Sequence, residues 1–425
     1  MRAVARWVYT LGLGAFFLGM GPMTLWQVVR HGKYRRGLGE RFGRMAAWGK
    51  GAAPLWLHTV SVGEAMAAAT LARDLRRRRP EVPLLVSTVT ETGRAVAEKR
   101  LPADRFVFFP FDFPWAVSRA LDRLRPRAVL LTETELWPNF LRACGERRIP
   151  VAVVNGRISP RSFPRYRRIR PWFRGVLEDV TLFCMQSPAD AERILALGAP
   201  PDRVRVVGNL KYDLADLGEA GQAAAVRQAL GLAPAVPLLV GGSTHRGEEA
   251  AVLAAFDHAR RAHPGVCLLL APRHPERLDE VERLVRQGGF SCLRRSRLPA
   301  EPLPPGAVIL LDTMGELARL YAAASVVFIG GSLIPHGGQN ILEPAAHARP
   351  VIHGPYMGNF LEMRALFREA GAAVEVPDGA ALPAEVVHLL GDPALADRMG
   401  QAGKQIVESH RGATRRTAEL VERLL

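Results

Sequence analysis

The sequence predicts an α/β protein with two Rossmann-like, doubly wound domains that face a cleft, preceded by an N-terminal membrane-anchoring helix. Two observations predict the domains. Short apolar runs alternate with helical patterns from Leu55 onward, which is the order of βαβ units around a parallel sheet. The alternation restarts after a Gly/Ala/Gln-rich segment, Leu217–Ala225, and 425 residues are too many for one ordinary core.

The N-terminal anchor is predicted over residues 1–30. The stretch Trp7–Val29 has no charged side chain and is long enough to cross a bilayer as a helix, and a basic cluster begins at Arg30. Positive charges on that side would keep the domains in the cytoplasm. The order of the two features disfavours a cleaved signal peptide. A helix that lies in the membrane interface is the alternative.

The first domain is predicted over residues 31–216 and the second over residues 226–425. Most of their predicted strands are continuously apolar, as buried parallel strands are. The predicted strands of the first domain are Leu55–His58, Leu84–Thr88, Phe106–Phe109, Ala128–Thr132, Val151–Asn155, Leu182–Met185 and Val204–Val207. Those of the second are Leu238–Gly241, Cys267–Ala271, Ala307–Leu311, Val326–Ile329, Val351–Ile352 and Ala373–Glu375.

Composition narrows the classes of function. The 57 Lys and Arg against 41 Asp and Glu give a net charge of +16, which favours an anionic partner: nucleic acid, an acidic membrane surface or a phosphorylated ligand. A solvated, arginine-rich surface is the alternative. The four cysteines stand singly, without a C-x-x-C pair or metal-ligand spacing, which indicates reduced thiols and no metal site. The chain has neither a Walker A sequence nor a G-x-G-x-x-G after a strand, which argues against NTPase and NAD chemistry.

Polar residues follow three predicted strands of the first domain. The turn Ser61–Glu64 leads from the first strand into an Ala-rich helix. Glu64 is thereby either half of an S-x-x-E capping box or a carboxylate at the ligand-binding edge of the sheet. Glu133 and Glu135 follow an apolar strand, where two acids are costly unless they are paired or exposed to a site. Lys211, after a glycine turn, is either a phosphate ligand or a surface lysine.

Four polar turns follow strands of the second domain, and paired glycines nearby leave room for a ligand. The turns are Gly241–His245, Pro272–Pro275, Thr313–Glu316 and Asn340–Glu343. Backbone N–H groups at the starts of helices favour anions. Four such turns in one domain predict a pocket for a nucleoside mono- or diphosphate.

Together these segments resemble the 3-deoxy-D-manno-octulosonic acid (Kdo) transferases of lipid A and lipopolysaccharide core biosynthesis. The resemblance runs from the basic stretch after Arg30 to about Gly400, and it rests on HTVSVGE, ETELWPN, VNGRIS, GNLKYD, GSTHRGEE, APRHPER, DTMGEL, GGSLIPHGGQNILEPAAH and GPYMGNF. It implies a GT-B glycosyltransferase with an N-terminal acceptor domain and a C-terminal donor domain. It also implies an inverting transfer of Kdo from CMP-Kdo to a lipid A precursor, lipid IVA, at the cytoplasmic face of the bacterial inner membrane, without a metal or other cofactor.

The resemblance also assigns roles by position. Glu64 matches the family's catalytic base, and Glu133 and Lys211 match residues that stabilise the transition state. The positions that match the CMP-binding residues are Pro272, Arg273, Met314, Gly315, Glu316, Asn340, Ile341, Leu342 and Glu343. These residue types suit the reaction, because a carboxylate can take the acceptor proton while cations and N–H groups stabilise the departing phosphate.

Two alternatives remain open from the sequence. One is another GT-B transferase that uses a UDP-sugar on a lipid-linked acceptor. The other is a membrane-tethered nucleic-acid binder, but the chain lacks an RRM, KH or helix-turn-helix signature, and its acids would repel phosphates. We therefore expect no nucleic-acid partner.

The stretch Arg157–Arg174 carries seven arginines and no acid, interleaved with four aromatic residues. Its prolines predict a surface of loops and short helices. With the cluster after Arg30, we expect it to form the membrane-docking and acceptor-side face of the first domain, with the aromatic rings as anchors. A solvated arginine face is the alternative.

Overall fold

The structure, a computed structural model, describes residues 7–19, 37–49, 51–215, 221–298 and 303–425. The chain divides into two compact units, Met1–Leu214 with Arg411–Leu425 and Ala215–His410. Each unit contains a parallel sheet with helices. The prediction of two α/β domains is therefore confirmed.

The sheet of the first unit has seven parallel strands among the described residues, in the order β3-β2-β1-β4-β5-β6-β7. The strands are β1 (Leu55–Thr59), β2 (Leu84–Thr88), β3 (Arg105–Phe108), β4 (Ala128–Thr132), β5 (Val151–Gly156), β6 (Leu182–Met185) and β7 (Val204–Val206). Alternate residues of β1 enter opposite apolar layers, with Trp56 on one face and Leu57 on the other. Successive strands are added to one side of β1 up to β3 and to its other side from β4 onward. The strand order therefore reverses between β1 and β4, and ligands bind at such a switch point in doubly wound sheets.

Helices cover both faces of this sheet. They are α1 (residues 7–19), α2 (Leu38–Arg41), α3 (Val62–Arg78), α4 (Glu91–Arg100), α5 (Pro114–Leu124), α6 (Pro138–Glu146), α7 (Phe163–Arg168), α8 (Arg170–Leu177) and α9 (Pro188–Ala196), followed by 3₁₀ turns at Pro201–Arg203 and Leu210–Leu214. The alanines of α3 are mostly buried. Their small side chains let the helix lie close to the sheet, so that its N-terminus stands directly at the end of β1.

The described part of the N-terminal segment is helix α1, which packs on the first unit. The Tyr9 hydroxyl donates to the buried Asp112 carboxylate at 3.0 Å, and the Phe17 ring lies 4.7 Å from that of Phe111. Within the described ranges, no helix has the length and apolar character needed to cross a membrane. Residues 1–6 and 20–30 of the predicted anchor, and the basic cluster from Arg30 to Arg36, lie outside the described residues.

The arginine-rich stretch forms the short helices α7 and α8, as the prolines predicted, but its aromatic rings are turned inward. Phe173 is 6% exposed, and Tyr166 stacks on it at 4.8 Å. Trp172 also packs against the apolar core. The expectation that these rings are outward anchors is therefore wrong, because the helices need them to cover the sheet. The exposed residues of these helices, with Ile169 between them, are Pro164, Arg165, Arg167, Arg168, Ile169, Arg170, Pro171 and Arg174.

The second unit repeats the architecture, again with seven parallel strands among its described residues, in the order β10-β11-β9-β8-β12-β13-β14. The strands are β8 (Leu238–Thr244), β9 (Cys267–Pro272), β10 (Cys292–Arg294), β11 (Val308–Leu310), β12 (Val326–Ile329), β13 (Val351–His353) and β14 (Ala373–Glu375). The helices are α10 (Gln222–Ala229), α11 (Glu248–Ala262), α12 (Leu278–Gln287), α13 (Leu317–Leu320), α14 (Leu342–Ala346), α15 (Leu361–Glu369), α16 (Leu382–Gly391) and α17 (Pro393–His410). The sequence did not predict β10, because this half-buried edge strand has no apolar run.

The last helix, α18 (Ala413–Glu422), belongs to the first unit. Its Ala418 and Val421 are buried in the same apolar cluster as Leu71 of α3. The Asp213 carboxylate accepts from the N–H groups of Gly412 and Thr414 at its start, at 2.7 and 2.6 Å. The domain boundary thus differs from the predicted 226–425, because these apolar side chains complete the first core.

Candidate active site

The Glu64 carboxylate stands at the N-terminus of α3, beside the carboxyl ends of β1 and β4. Its Oε2 accepts from the Val60 N–H and the Thr132 hydroxyl, each at 2.8 Å, and its Oε1 accepts from the Ser61 hydroxyl at 2.9 Å. The Ser61 hydroxyl in turn accepts from the Glu64 N–H at 3.3 Å. The capping box is therefore confirmed, and it fixes the direction of a carboxylate that is only 8% exposed.

The Thr132 hydroxyl has two acceptors within reach and one proton. It is 2% exposed and lies 2.8 Å from Glu64 Oε2 and 2.9 Å from the carbonyl oxygen of His58. It can donate to Glu64 while that carboxylate is ionised. Only if Oε2 itself carried a proton would Thr132 donate to His58 and accept from Glu64 instead. Thr132 was not predicted as a site residue, because in the sequence it is the last residue of a predicted apolar strand.

Glu133 and Glu135 lie in the electric field of Glu64. Burial raises the pKa of Glu133, which nearby Arg157 and Lys211 counteract. Burial, Glu64 and Glu133 together raise the pKa of Glu135 to about 7. The structure thus brings the predicted residues Glu64, Glu133 and Lys211 together. It adds Glu135 to the site, and the second acid of the T-E-T-E sequence had indicated this residue.

The backbone at Glu133 has φ 54°, a left-handed conformation that residues with a Cβ seldom adopt. The Glu133 N–H donates to the Val154 carbonyl of the neighbouring strand at 2.9 Å. Its Oε2 lies 3.7 Å from Arg157 Nε. Such conformations persist only where surrounding contacts enforce them, and they cluster at functional sites.

The turn that carries Lys211 is tied to the ends of β5 and β6. Asn155, which also has a left-handed backbone, accepts from the Leu210 N–H through its side chain at 3.0 Å. The Asn209 side chain donates to Gln186 at 2.8 Å and accepts from the Lys211 N–H at 3.0 Å. This network of amides holds Lys211 at the same edge of the sheet as Glu64.

In the second unit, the buried carboxylate of Glu248 organises the loop after β12. Glu248 is 0% exposed and accepts backbone N–H groups at 2.7 to 3.0 Å from His245, Gly331, Ser332 and Leu333. A Cβ at Gly330 would lie 2.3 Å from a backbone oxygen of β8, so glycine is required for this approach. The sequence did not single out Glu248, because an acid in the first turn of a helix is ordinary.

The predicted donor residues lie at the carboxyl edge of the second sheet. Pro272 ends β9, and the N–H of the exposed Arg273 donates to the Thr244 carbonyl at the end of β8, at 2.9 Å. Thr313–Glu316 follows β11, whose neighbour in the sheet is β9. Asn340–Glu343 follows β12 and opens α14.

Two of these segments have internal caps. The Thr313 hydroxyl donates to Glu316 at 2.5 Å, and between them Gly315 has φ 84° and the Met314 side chain is 78% exposed. The Asn340 amide donates to Glu343 at 3.1 Å and accepts from the Leu342 N–H at 3.1 Å.

Glu343 is half-buried, and burial raises its pKa. The side chains of Ile341 and Leu342 are fully buried, so these two residues can offer a ligand only backbone groups. Over the part of the chain that the structure describes, no three His, Cys, Asp or Glu side chains are grouped to hold a metal ion. That the reaction needs no metal stays a prediction.

Residues 36–214 match the family model described as 3-deoxy-D-manno-octulosonic-acid transferase (kdotransferase). The chain is 34% identical over 402 residues to the 3-deoxy-D-manno-octulosonic acid transferase of Haemophilus influenzae, covering 93% of this chain and 92% of the relative. It is 36% identical to the enzyme of the same name from Bordetella pertussis, covering 99% of both chains.

Among solved structures, a glycosyltransferase from Rickettsia africae has a TM-score of 0.57 to this chain, at 12% identity, covering 88% of this chain and 99% of that one. At this identity the likeness concerns the fold alone. The fold is that of GT-B-like glycosyltransferases.

Proposed function

The chain belongs to the family of 3-deoxy-D-manno-octulosonic acid (Kdo) transferases and is a glycosyltransferase, and on that premise we propose that it transfers Kdo from CMP-Kdo to lipid IVA with inversion at the anomeric carbon. The observation that carries this proposal is the Glu64 carboxylate, held in one direction by three donors at the switch point of the first sheet. A carboxylate fixed in this way suits the removal of a proton from an acceptor hydroxyl.

The proton of the acceptor hydroxyl passes to Glu64 as that oxygen attacks the anomeric carbon. Oε1 is the receiving atom, because it has one donor among the described residues, Ser61, whereas Oε2 has two. With the proton on Oε1, Oε2 remains an acceptor, so the Thr132 hydroxyl and the Val60 N–H go on donating to it at 2.8 Å. These two contacts hold the carboxyl group in place through the step.

Glu133 and Lys211 act on the charges of the transition state. The anomeric carbon becomes oxocarbenium-like, which a nearby carboxylate such as Glu133 stabilises. The departing CMP carries negative charge, which Lys211 counters. The constrained backbone at Glu133 and the amide network under Lys211 support these roles, since both fix the backbone from which the side chains extend.

The donor nucleotide binds at the carboxyl edge of the second sheet. Arg273 is exposed there, and we assign its guanidinium to the phosphate of CMP. The segments Met314–Glu316 and Asn340–Glu343 bind the nucleoside, with Ile341 and Leu342 contributing backbone groups only. No metal is required in this scheme, because Arg273, Lys211 and the helix N-termini supply the positive field.

The enzyme acts at the cytoplasmic face of the bacterial inner membrane in this proposal. Apolar side chains on the outer face of α1 support it: Trp7 is 67%, Leu11 68% and Leu18 80% exposed. Helix α8, next to the exposed arginines of the stretch, lies beside α1, since the Tyr9 and Trp172 rings are 6.0 Å apart. Exposed apolar and cationic side chains together suit an anionic leaflet.

The direct test is to incubate the purified protein with CMP-Kdo and a tetra-acylated lipid A precursor and to measure the masses of the lipid products by mass spectrometry. We expect products heavier by whole Kdo units and tighter binding of CMP than of UMP and UDP. If a UDP-sugar is transferred to the lipid and CMP-Kdo is not, the enzyme is instead the UDP-sugar transferase of the alternative.

A further inference from the structure

Three imidazole rings of the second unit lie against one another next to Arg273. The His245 and His336 ring centroids are 4.5 Å apart, and the rings stack at 29°. The His245 and His274 centroids are 5.3 Å apart, with the rings edge to face. The rings come from the ends of β8 and β9 and from the loop after β12. None of the roles assigned above uses them.

One of the three rings is buried, and the other two lie exposed above it. His245 is 8% exposed, and its backbone N–H donates to the buried Glu248 at 2.9 Å. Its Nε2 lies 3.2 Å from the side-chain nitrogen of Gln339, which can only donate, so His245 Nε2 accepts and the ring is neutral. His274 and His336 are exposed. A ligand can therefore reach two rings directly and the third at their base.

The surroundings of His245 are positive. Burial, together with His336, His274, Arg273 and Arg277, lowers its pKa to about 4. Three of the acids that face this region are engaged elsewhere: Glu248 is bound to four backbone N–H groups, and Glu249 and Glu280 are bound to Arg277 at 2.7 and 3.2 Å. The fourth, Glu276, faces the rings, with its Oε1 3.5 Å from His274 Nδ1. An anion placed on the rings would lie in the positive field of Arg273, which is exposed beside them.

The donor sugar supplies such an anion. Kdo is a sugar acid, and in CMP-Kdo its carboxylate and the ester oxygen of the phosphate are bonded to the same carbon. If Arg273 holds the phosphate, a second negative charge must lie within a few bonds of it. Neutral sugars offer no such group. A cationic subsite beside the phosphate ligand therefore distinguishes a sugar acid from a neutral sugar.

We propose that His245, His274 and His336 form the subsite that binds the carboxylate of the donor sugar and that the rings take up a proton from solvent as it binds. This inference rests on the proposed function, because it needs CMP-Kdo as the donor. The bound state then holds more protons than the free enzyme, so donor affinity rises as pH falls.

The test compares two constants in His336→Gln and His274→Gln: the Kd of CMP, which lacks the carboxylate, and the KM of CMP-Kdo. We expect the KM to rise about tenfold or more while the Kd of CMP stays within about twofold, as for the loss of one charge-assisted contact. The rise of KM with pH in the wild type should flatten in the variants. His388→Gln is the matched control, since this exposed histidine pairs with Glu385 at 3.6 Å, away from the rings, and should change neither constant.

The outcomes separate the subsite from the proposed function. An unchanged KM in both variants, with CMP bound normally, would overturn the subsite and leave Kdo transfer intact. A loss of CMP affinity as large as the rise in KM would also overturn it, by showing that the rings serve the nucleotide. Absence of Kdo transfer by the wild type would overturn both proposals.

A further experiment compares the Kd of CDP with that of CMP. It is needed because the rings could instead bind the second phosphate of a nucleoside diphosphate. We expect the two nucleotides to bind alike once the carboxylate is absent. If CDP binds the wild type much more tightly and His336→Gln abolishes the gain, the rings hold a phosphate and the carboxylate assignment is wrong.

Discussion

Replacement of Glu64 by Gln tests whether this residue is a base or only a helix cap. The amide oxygen can keep the Val60 N–H and Thr132 hydroxyl as donors, each now 2.8 Å from Oε2. The amide nitrogen can donate to the Ser61 hydroxyl, 2.9 Å from Oε1. What is lost is a negative charge at a helix N-terminus and the strength it adds to three hydrogen bonds. We expect unfolding to become easier by about 1–2 kcal/mol and kcat to fall by about 10²- to 10⁴-fold.

Asp190→Asn is the matched control, because Asp190 likewise caps a helix, α9, although it differs from Glu64 in pairing with Arg193 at 3.3 Å. It is 1% exposed, accepts from the Ser187 hydroxyl at 2.6 Å and from the Ile158 N–H at 2.8 Å, and its own N–H donates to Ser187 at 3.2 Å. Its loss of stability should be similar to that of Glu64→Gln, and its kcat should stay within a few-fold of the wild type. Denaturant unfolding and initial rates at saturating CMP-Kdo and lipid acceptor measure both quantities.

A kcat of Glu64→Gln within a few-fold of the wild type would leave Glu64 as a cap and refute its role as the base. An equal loss of turnover in Asp190→Asn would refute that role as well, since capping alone would then explain the effect.

The other predictions concern the support of Glu64, the nucleotide and the membrane face. Thr132→Val leaves a buried carbonyl and Glu64 Oε2 without the hydroxyl between them, so kcat should fall. Thr132→Ser should restore kcat, and an unchanged kcat in Thr132→Val would dismiss the hydroxyl from the mechanism. Arg273→Ala should weaken CMP binding by more than about 1 kcal/mol in calorimetry; equal affinity would place the phosphate elsewhere. Four of the exposed arginines of α7 and α8 are Arg165, Arg167, Arg168 and Arg170. Changing these four to Gln should weaken binding to anionic vesicles at least about tenfold, in a salt-sensitive way, and raise the KM of the lipid acceptor without affecting the binding of CMP. Survival of vesicle binding and acceptor kinetics would identify the face as solvated charge.

The sequence by itself determined the features that depend on residues near one another in the chain. Continuous apolar runs gave the buried strands, because a parallel strand covered on both faces has no polar side. The Ser61–Glu64 spacing gave the capping box, since it is set within one helical turn. The donor segments could be placed at one edge because every parallel strand brings its carboxyl end to the same side of the sheet.

Only the tertiary structure decided which distant residues meet. Thr132 reaches Glu64, 68 positions away, because β1 and β4 are neighbours in the sheet. Helix α18 returns to the first unit because its apolar face completes that core. The contacts of His245 with His274 and His336 depend on loops after three strands, and the inward turn of Phe173 depends on what α8 covers. No local pattern specifies such pairings, because side-chain packing between segments far apart in the chain decides them.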